Sequence, residues 1–200
     1  MQNVNQNTLT LQKIKSAFVE LLFERDYNQI TIDAICKQAH ASRTTFYRYF
    51  DSKDVLLREI ELEYINDLNR IFPPALKEAV QNNQILQASL REACIEGLYY
   101  HKEHAKVCLA ILRHSGDIYF YQKAMQSAKE LMSNLFPAQA YSDNRERLLF
   151  FYAAGFVNSI IHWVEEGATS PEDMADFAIS LFIKMADNKG LGTAIDQEQE

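Results

Sequence analysis

Nine of the twelve residues from Ser42 to Lys53, SRTTFYRYFDSK, carry hydrogen-bond donors: Ser42, Arg43, Thr44, Thr45, Tyr47, Arg48, Tyr49, Ser52 and Lys53. A guanidinium pairs bidentately with a guanine edge or a phosphate, hydroxyls reach either, and an ammonium is a compact charge for a phosphate. This is the chemistry of recognising an anionic, edge-rich surface, and it requires the donors to share one face. A helix from Arg43 onward arranges that, because the 3.6-residue period turns Phe46 and Phe50 inward with Tyr49 at the margin. The same period sends Thr44, Tyr47 and Arg48 outward and puts Arg43 on the flank.

Such a helix needs a partner and a turn to hold it. Thr31 caps a preceding helix of about eight residues, on which Ile32, Ile35, Cys36 and Ala39 share a face. His40 and Ala41 make the turn, where positive φ is often required and histidine is among the few non-glycine types to accept it. Ser42 caps the second helix. Asp51 or Ser52 ends it and caps the next, leaving Lys53 beside backbone N–H groups that attract an anion. Two short helices about a tight turn, the second bearing a basic and aromatic outer face, form a helix-turn-helix. Exposed charges are usually a solvated surface, but the order and spacing of these residues favour a DNA-reading role.

From about Ile14 to Leu57 the chain resembles the N-terminal DNA-binding domain of the TetR/AcrR family of bacterial regulators. The resemblance is carried by Ile14, Ala17, Phe18, Leu21, Leu22 and Phe23, by Tyr27, Thr31 and Ile32, by Ser42, Thr45, Phe46, Tyr47, Tyr49 and Phe50, and by Lys53, Leu56 and Leu57. Asp26, Cys36 and His40 depart from the glycine, alanine and glycine usual there. The resemblance implies a ligand-responsive homodimer, most often a repressor, on a near-palindromic double-stranded operator. In that reading Arg43, Thr44 and Thr45 reach base edges. Tyr47 and Lys53, with Thr31 and Tyr49, hold phosphates, Ser42 belongs to the same surface, and Arg48 serves either role. The alternatives are an activator, or a helical adaptor of the same fold with reduced DNA binding; the retained Arg43, Tyr47 and Lys53 argue against the adaptor.

The chain has 200 residues, a formal net charge of -7 and 48% hydrophobic residues, enough for a buried core. The charge is divided: residues 1–53 carry seven Lys or Arg against five Asp or Glu, a net +2, and residues 54–200 carry thirteen against twenty-two, a net -9. An acidic remainder limits indiscriminate attraction to DNA. Cys36, Cys94 and Cys108 are odd in number and lack a C-x-x-C spacing, so they read as small buried hydrophobes. Met1–Thr8 is polar and uncharged, unlike a signal peptide, and a cytoplasmic protein is expected. No phosphate loop, G-x-S-x-G elbow or H-E-x-x-H occurs, which argues against an enzyme. His101, His104 and Cys108 have helical spacing, but a chain break near Lys102 spoils their common face, so neither metal nor cofactor is expected.

Beyond Lys53 apolar residues recur at three and four with no alternating pattern, so the chain reads as all-α, about nine helices. The fourth is expected over Lys53–Arg70, stopping before Pro73 and Pro74. Breaks are expected at 82–83, 101–103, 115–117, 137–143 and 167–171. Leu148–Val164 has no formal charge if His162 is neutral; it is short for a membrane span and reads as a buried helix, apolar all round, with one face on a partner. In the family the last two long helices form the dimer interface, which points to Phe151, Ala154, Gly155, Ile161, Met174, Phe177, Leu181 and Phe182. The effector candidates on the middle helices are Tyr99, Tyr100, His101, Cys108, Tyr119, Phe120, Tyr121, Phe156, Asn158 and His162. The division expected is a DNA-binding domain over 8–68 with its motif at 31–50, an effector and dimerisation domain over 69–187, and a disordered tail over 188–200.

Overall fold

A computed structural model of the chain describes residues 2–81, 86–114, 118–135 and 145–187, with side chains over 7–71, 90–112, 120–133 and 145–181. The described residues form nine α-helices and no strand: α1 Gln2–Glu24, α2 Ile32–Gln38, α3 Arg43–Tyr49, α4 Lys53–Gln81, α5 Leu86–Glu103, α6 Ala105–Leu109, α7 Ile118–Leu135, α8 Arg145–Glu166 and α9 Pro171–Asp187. A 3₁₀ turn, Tyr27–Gln29, follows α1, and a π-helical turn, Ala110–His114, follows α6. The all-α expectation holds. The expected breaks at 82–83, 115–117 and 137–143, and the expected disordered tail at 188–200, lie outside the described residues.

Two compact units emerge, one of Met1–Leu68 with His104–Tyr121, the other of Asn69–Glu103 with Gln122–Glu200. In the first, α1 packs on α2, α6 and the π-helical turn, and α2 packs on α3. Ile14, Phe18, Leu22, Ile35, Phe46, Phe50 and Leu56 are fully buried, on the inward positions that the helical period assigns them. Burying each such side chain contributes about 1.5–3 kcal/mol, which orders helices of only seven residues that would not persist alone. Lys15, itself buried, reaches from α1 to α4, where its ammonium lies 2.7 Å from Glu59 Oε1 and 2.5 Å from Glu63 Oε1.

The second unit is built on α5, which packs along α9 and α8. Leu90, Cys94, Leu98, Ile160, Trp163, Met174, Ala175 and Ile179 form its core. Helix α8 stops because Gly167 takes φ 59° and donates its N–H to Trp163 O at 3.0 Å, the left-handed cap that favours glycine. Ser170 then caps α9, accepting from Asp173 N at 3.0 Å, with Pro171 at the first helical position, where its missing N–H costs nothing.

One expectation is corrected, and two positions are clarified. Helix α4 runs through Pro73 and Pro74 to Gln81 rather than ending before them; the fixed φ of proline is itself helical, so each ring costs a hydrogen bond without forbidding continuation. Asp26 is extended, φ -61° and ψ 141°, so nothing there needs the left-handed backbone that a glycine would supply. The helix expected over Leu148–Val164 lies within α8, where Leu149, Ala153, Val157, Ile160, Ile161 and Trp163 face inward, while Phe150, Phe151, Gly155 and Asn158 are exposed.

Candidate nucleic-acid interface

The helix-turn-helix is assembled by side chains acting on backbone. Thr31 Oγ1 accepts from Ala34 N at 3.2 Å and opens α2; Ser42 Oγ accepts from Thr45 N at 3.0 Å and opens α3. Each cap satisfies an amide that the first turn leaves without a partner, worth about 1 kcal/mol. Between them His40 takes φ 52°, the one positive-φ non-glycine residue among those described, and Ala41 N donates to Cys36 O at 2.9 Å. The turn is therefore the left-handed one that the sequence anticipates. Phe46 and Phe50 pin α3 from within, their ring centroids 5.7 Å apart.

Opposite that face the donors are displayed. Arg43, Thr44, Tyr47 and Arg48 are exposed, and Thr45 and Tyr49 are half-buried. Thr45 Oγ1 lies 2.8 Å from Ser42 Oγ. Arg43 Nη1 lies 3.0 Å from Asp33 Oδ1, and the guanidinium carbon stands 6.0 Å from the centre of the Tyr47 ring. The Tyr47 side chain and then the Asp33 charge push the Arg43 group further above its ordinary range. Arg48 stacks on Tyr49 with its guanidinium carbon 4.9 Å from the ring centre, and its Nη2 donates to the Tyr49 hydroxyl at 3.1 Å. That hydroxyl donates in turn to Asn7 on α1, 3.2 Å from the carbonyl oxygen and 3.3 Å from Oδ1.

Lys53 occupies the corner where α4 begins. Its ammonium donates to Tyr27 O at 2.9 Å and Ile30 O at 3.0 Å, and sits 4.1 Å from the centre of the Tyr27 ring. The Tyr27 hydroxyl donates to Asp54 and holds that carboxyl below its ordinary range. Ser52 Oγ accepts from Val55 N at 3.3 Å, so Ser52 is the residue that caps α4. The corner thus already contains a cation and a carboxylate tied to the 3₁₀ turn, beside the cap of α4.

The pattern described as "Bacterial regulatory proteins, tetR family" matches residues 14–60, and that described as "Transcriptional regulator C-terminal region", from the same family, matches 89–184. Together they account for more than half of the chain. The chain belongs to the TetR family. A curated relative, the uncharacterized HTH-type transcriptional regulator YxbF of Bacillus subtilis (strain 168), is 22% identical over 193 residues, 94% of this chain. The chain spans 48% of the length of that relative. Among solved structures, a TetR transcriptional regulator from Streptococcus agalactiae 2603V aligns with a TM-score of 0.62 at 21% identity, over 90% of this chain and 97% of the other. The dihydroxyacetone kinase operon activator DhaS aligns at 0.57 and 21% identity, over 88% and 96%. Both likenesses establish the fold.

The remaining TetR-family expectations are placed unevenly. Among its described residues the second unit holds a small apolar cavity of about 10 Å³, lined by Cys94, Gly97, Leu98 and His101 of α5, Phe156 and Ile160 of α8, and Met174 and Ala178 of α9. Of the described effector candidates His101 and Phe156 line it. Tyr100 is half-buried with its ring edge toward His101; Tyr99 is exposed and donates to Glu172 Oε1 at 2.7 Å. Asn158 donates to Ala154 O at 2.8 Å and His162 lies 3.3 Å from Glu166, both on the exposed face of α8. Cys108 and Tyr121 belong to the first unit, and the side chain of Tyr119 lies outside the described residues. Burial pushes the Cys94 and Cys108 thiols up to about 11, so neither is a thiolate at neutral pH. Among the interface candidates Phe151, Gly155, Phe177 and Leu181 are exposed and Ala154 half-buried, whereas Ile161 and Met174 point into their own chain; the side chain of Phe182 is outside the described residues.

Sequence reasoning missed Asp33, Asn7 and most of the cavity lining. The α5 lining residues Cys94, Gly97, Leu98 and His101 recur at three, four and seven, but only His101 of these stands among the candidates, because small apolar residues carry no chemistry that marks them beside larger aromatic ones.

Proposed function

We propose that the chain is a dimeric, sequence-specific DNA-binding regulator of transcription, most simply a repressor released from a near-palindromic operator by a small molecule. The observation that carries this reading is α3 itself, capped by Ser42, set by the left-handed turn at His40, and presenting Arg43, Thr44, Tyr47 and Arg48 away from the buried Phe46 and Phe50. A helix so mounted enters a major groove with its N-terminal residues at the base edges. Arg43, Thr44 and Thr45 are assigned to bases, with Ser42 at the groove edge, and Tyr47, Thr31 and Tyr49 to phosphates. Arg48 serves either through its stack on Tyr49, and Lys53 offers phosphate its remaining N–H. The domain division assigned is 8–68 for DNA binding and 69–187 for effector binding and dimerisation. A DNA-reading role places the protein in the cytoplasm.

The exposed stripes of α8 and α9, Phe151 with Gly155 and Phe177 with Leu181, support a homodimer through those helices. The α5, α8 and α9 cavity supports an apolar effector site. At about 10 Å³ it is too small to hold a ligand, since ligand sites run to hundreds of Å³, so an effector would bind by parting these helices and selecting a second conformation. Activation is the second reading, favoured by the likeness in fold to DhaS, a protein named as an operon activator.

Selection of bound duplexes from a random pool tests the reading. The expected result is an enriched motif of two half-sites about one helical turn apart. Arg43→Ala should cost about 1–3 kcal/mol and relax preference at one position of each half-site. Equal retention of duplex DNA by the wild type and by Arg43→Ala, Tyr47→Ala would overturn it.

A further inference from the structure

We infer that Asp33 is a specificity-determining residue, whose carboxylate holds the Arg43 guanidinium ready for a guanine edge and whose charge disfavours DNA that lacks that guanine. The inference rests on the DNA-reading function proposed above. Asp33 stands in the first turn of α2 and Arg43 opens α3, so the pair spans the motif from one helix N-terminus to the next. Both contacts, Nη1 to Oδ1 at 3.0 Å and to Oδ2 at 3.2 Å, use the same nitrogen. A guanine can therefore be met by the Nε and Nη2 edge, with the Tyr47 ring on a neighbouring side.

Stability does not explain this pair. The two side chains are 61% and 67% exposed, and ion pairs in that setting contribute little because water screens them and ordering two long side chains offsets the attraction. Binding gains more. An arginine ordered before DNA arrives does not lose its rotamer freedom at the interface. The same carboxylate, on the face that meets phosphates, repels a duplex in every register, and only the correct base pair offsets that repulsion through Arg43. Asp33 therefore trades general affinity for discrimination. The simpler role, an acid favouring the positive end of α2, would change helix stability without changing preference at a single base position.

Competition titrations and duplex selection with wild type, Asp33→Asn, Arg43→Ala and the double variant decide the matter, with thermal melting to confirm folding. In Asp33→Asn, affinity for random-sequence DNA should rise several-fold, while preference for guanine at one half-site position falls about tenfold and the other positions are unchanged. In the Arg43→Ala background Asp33→Asn should leave base preference as it is. A wild-type motif that Asp33→Asn reads with undiminished preference, or loses equally at all positions, overturns the role of Asp33 alone. Absence of any enriched motif with the wild type overturns both that role and the DNA-reading function.

Discussion

His40 is the residue on which the reading surface turns. Its φ of 52° is the conformation that glycine would adopt without strain, and a left-handed residue with a β-carbon costs about 1–2 kcal/mol relative to its right-handed form. The chain tolerates this because Ala41 N is engaged by Cys36 O and Ser42 opens α3 immediately afterwards, so the turn is over-determined on both sides. His40→Gly should therefore leave the denaturant midpoint of the first unit unchanged or raise it by up to about 1 kcal/mol in stability. His40→Val should lower stability by about 2 kcal/mol or more, because a β-branched residue is far less tolerant of positive φ. Urea titration followed by circular dichroism checks both, and a valine variant as stable as wild type would mean that the turn relaxes. Residue types made this turn readable beforehand, since histidine before a capping serine suggests it. The partners of the exposed arginines were not readable, because a contact such as Arg43 to Asp33 spans ten positions and depends on the angle between two helices.

At the scale of the elements, periodicity revealed each helix and hid what lies between them. Proline positions suggested an early end to α4, yet its helix continues through both to Gln81, since the fixed φ of proline is compatible with a helix. The seam between α5 and α9 was likewise invisible. Arg91 Nε and Nη2 lie 2.6 and 3.0 Å from the two oxygens of Asp176, and Tyr99 donates to Glu172, so two polar clasps flank the apolar cavity lining. Arg91 holds the Asp176 carboxyl below its ordinary range, and the Tyr99 hydroxyl does the same for Glu172. A depressed carboxylate contributes stability that is present above its unfolded value and lost as pH falls through the folded one. The seam should accordingly weaken below about pH 4. In Arg91→Ala, Asp176 should return to an ordinary carboxylate, so the loss of melting temperature between pH 6 and pH 3 should be smaller than in wild type. Parallel pH profiles for the two proteins would have to differ in slope; identical slopes would show that the clasp is fully screened.

For the whole molecule, the net-positive stretch over residues 1–53 and the exposed apolar faces of α8 and α9 are what the proposed dimer needs, one surface to read DNA and another to pair subunits. Phe151 is 70% exposed and Phe177 53%, and Gly155 has nothing within 4 Å of where a β-carbon would stand. A protein of this size seldom leaves such large apolar groups on water unless they meet a partner. Because these side chains contribute little to the interior of their own chain, Phe151→Glu with Phe177→Glu should leave the helical circular dichroism intact. It should convert a dimer at micromolar concentration into a monomer by sedimentation. DNA affinity should then fall steeply, since one recognition helix alone reads half an operator and loses the gain from linking two half-sites. A double variant that still sediments as a dimer would move the interface away from these stripes of α8 and α9. A wild type that is monomeric but binds a two-half-site operator would require the DNA itself to bring the two subunits together.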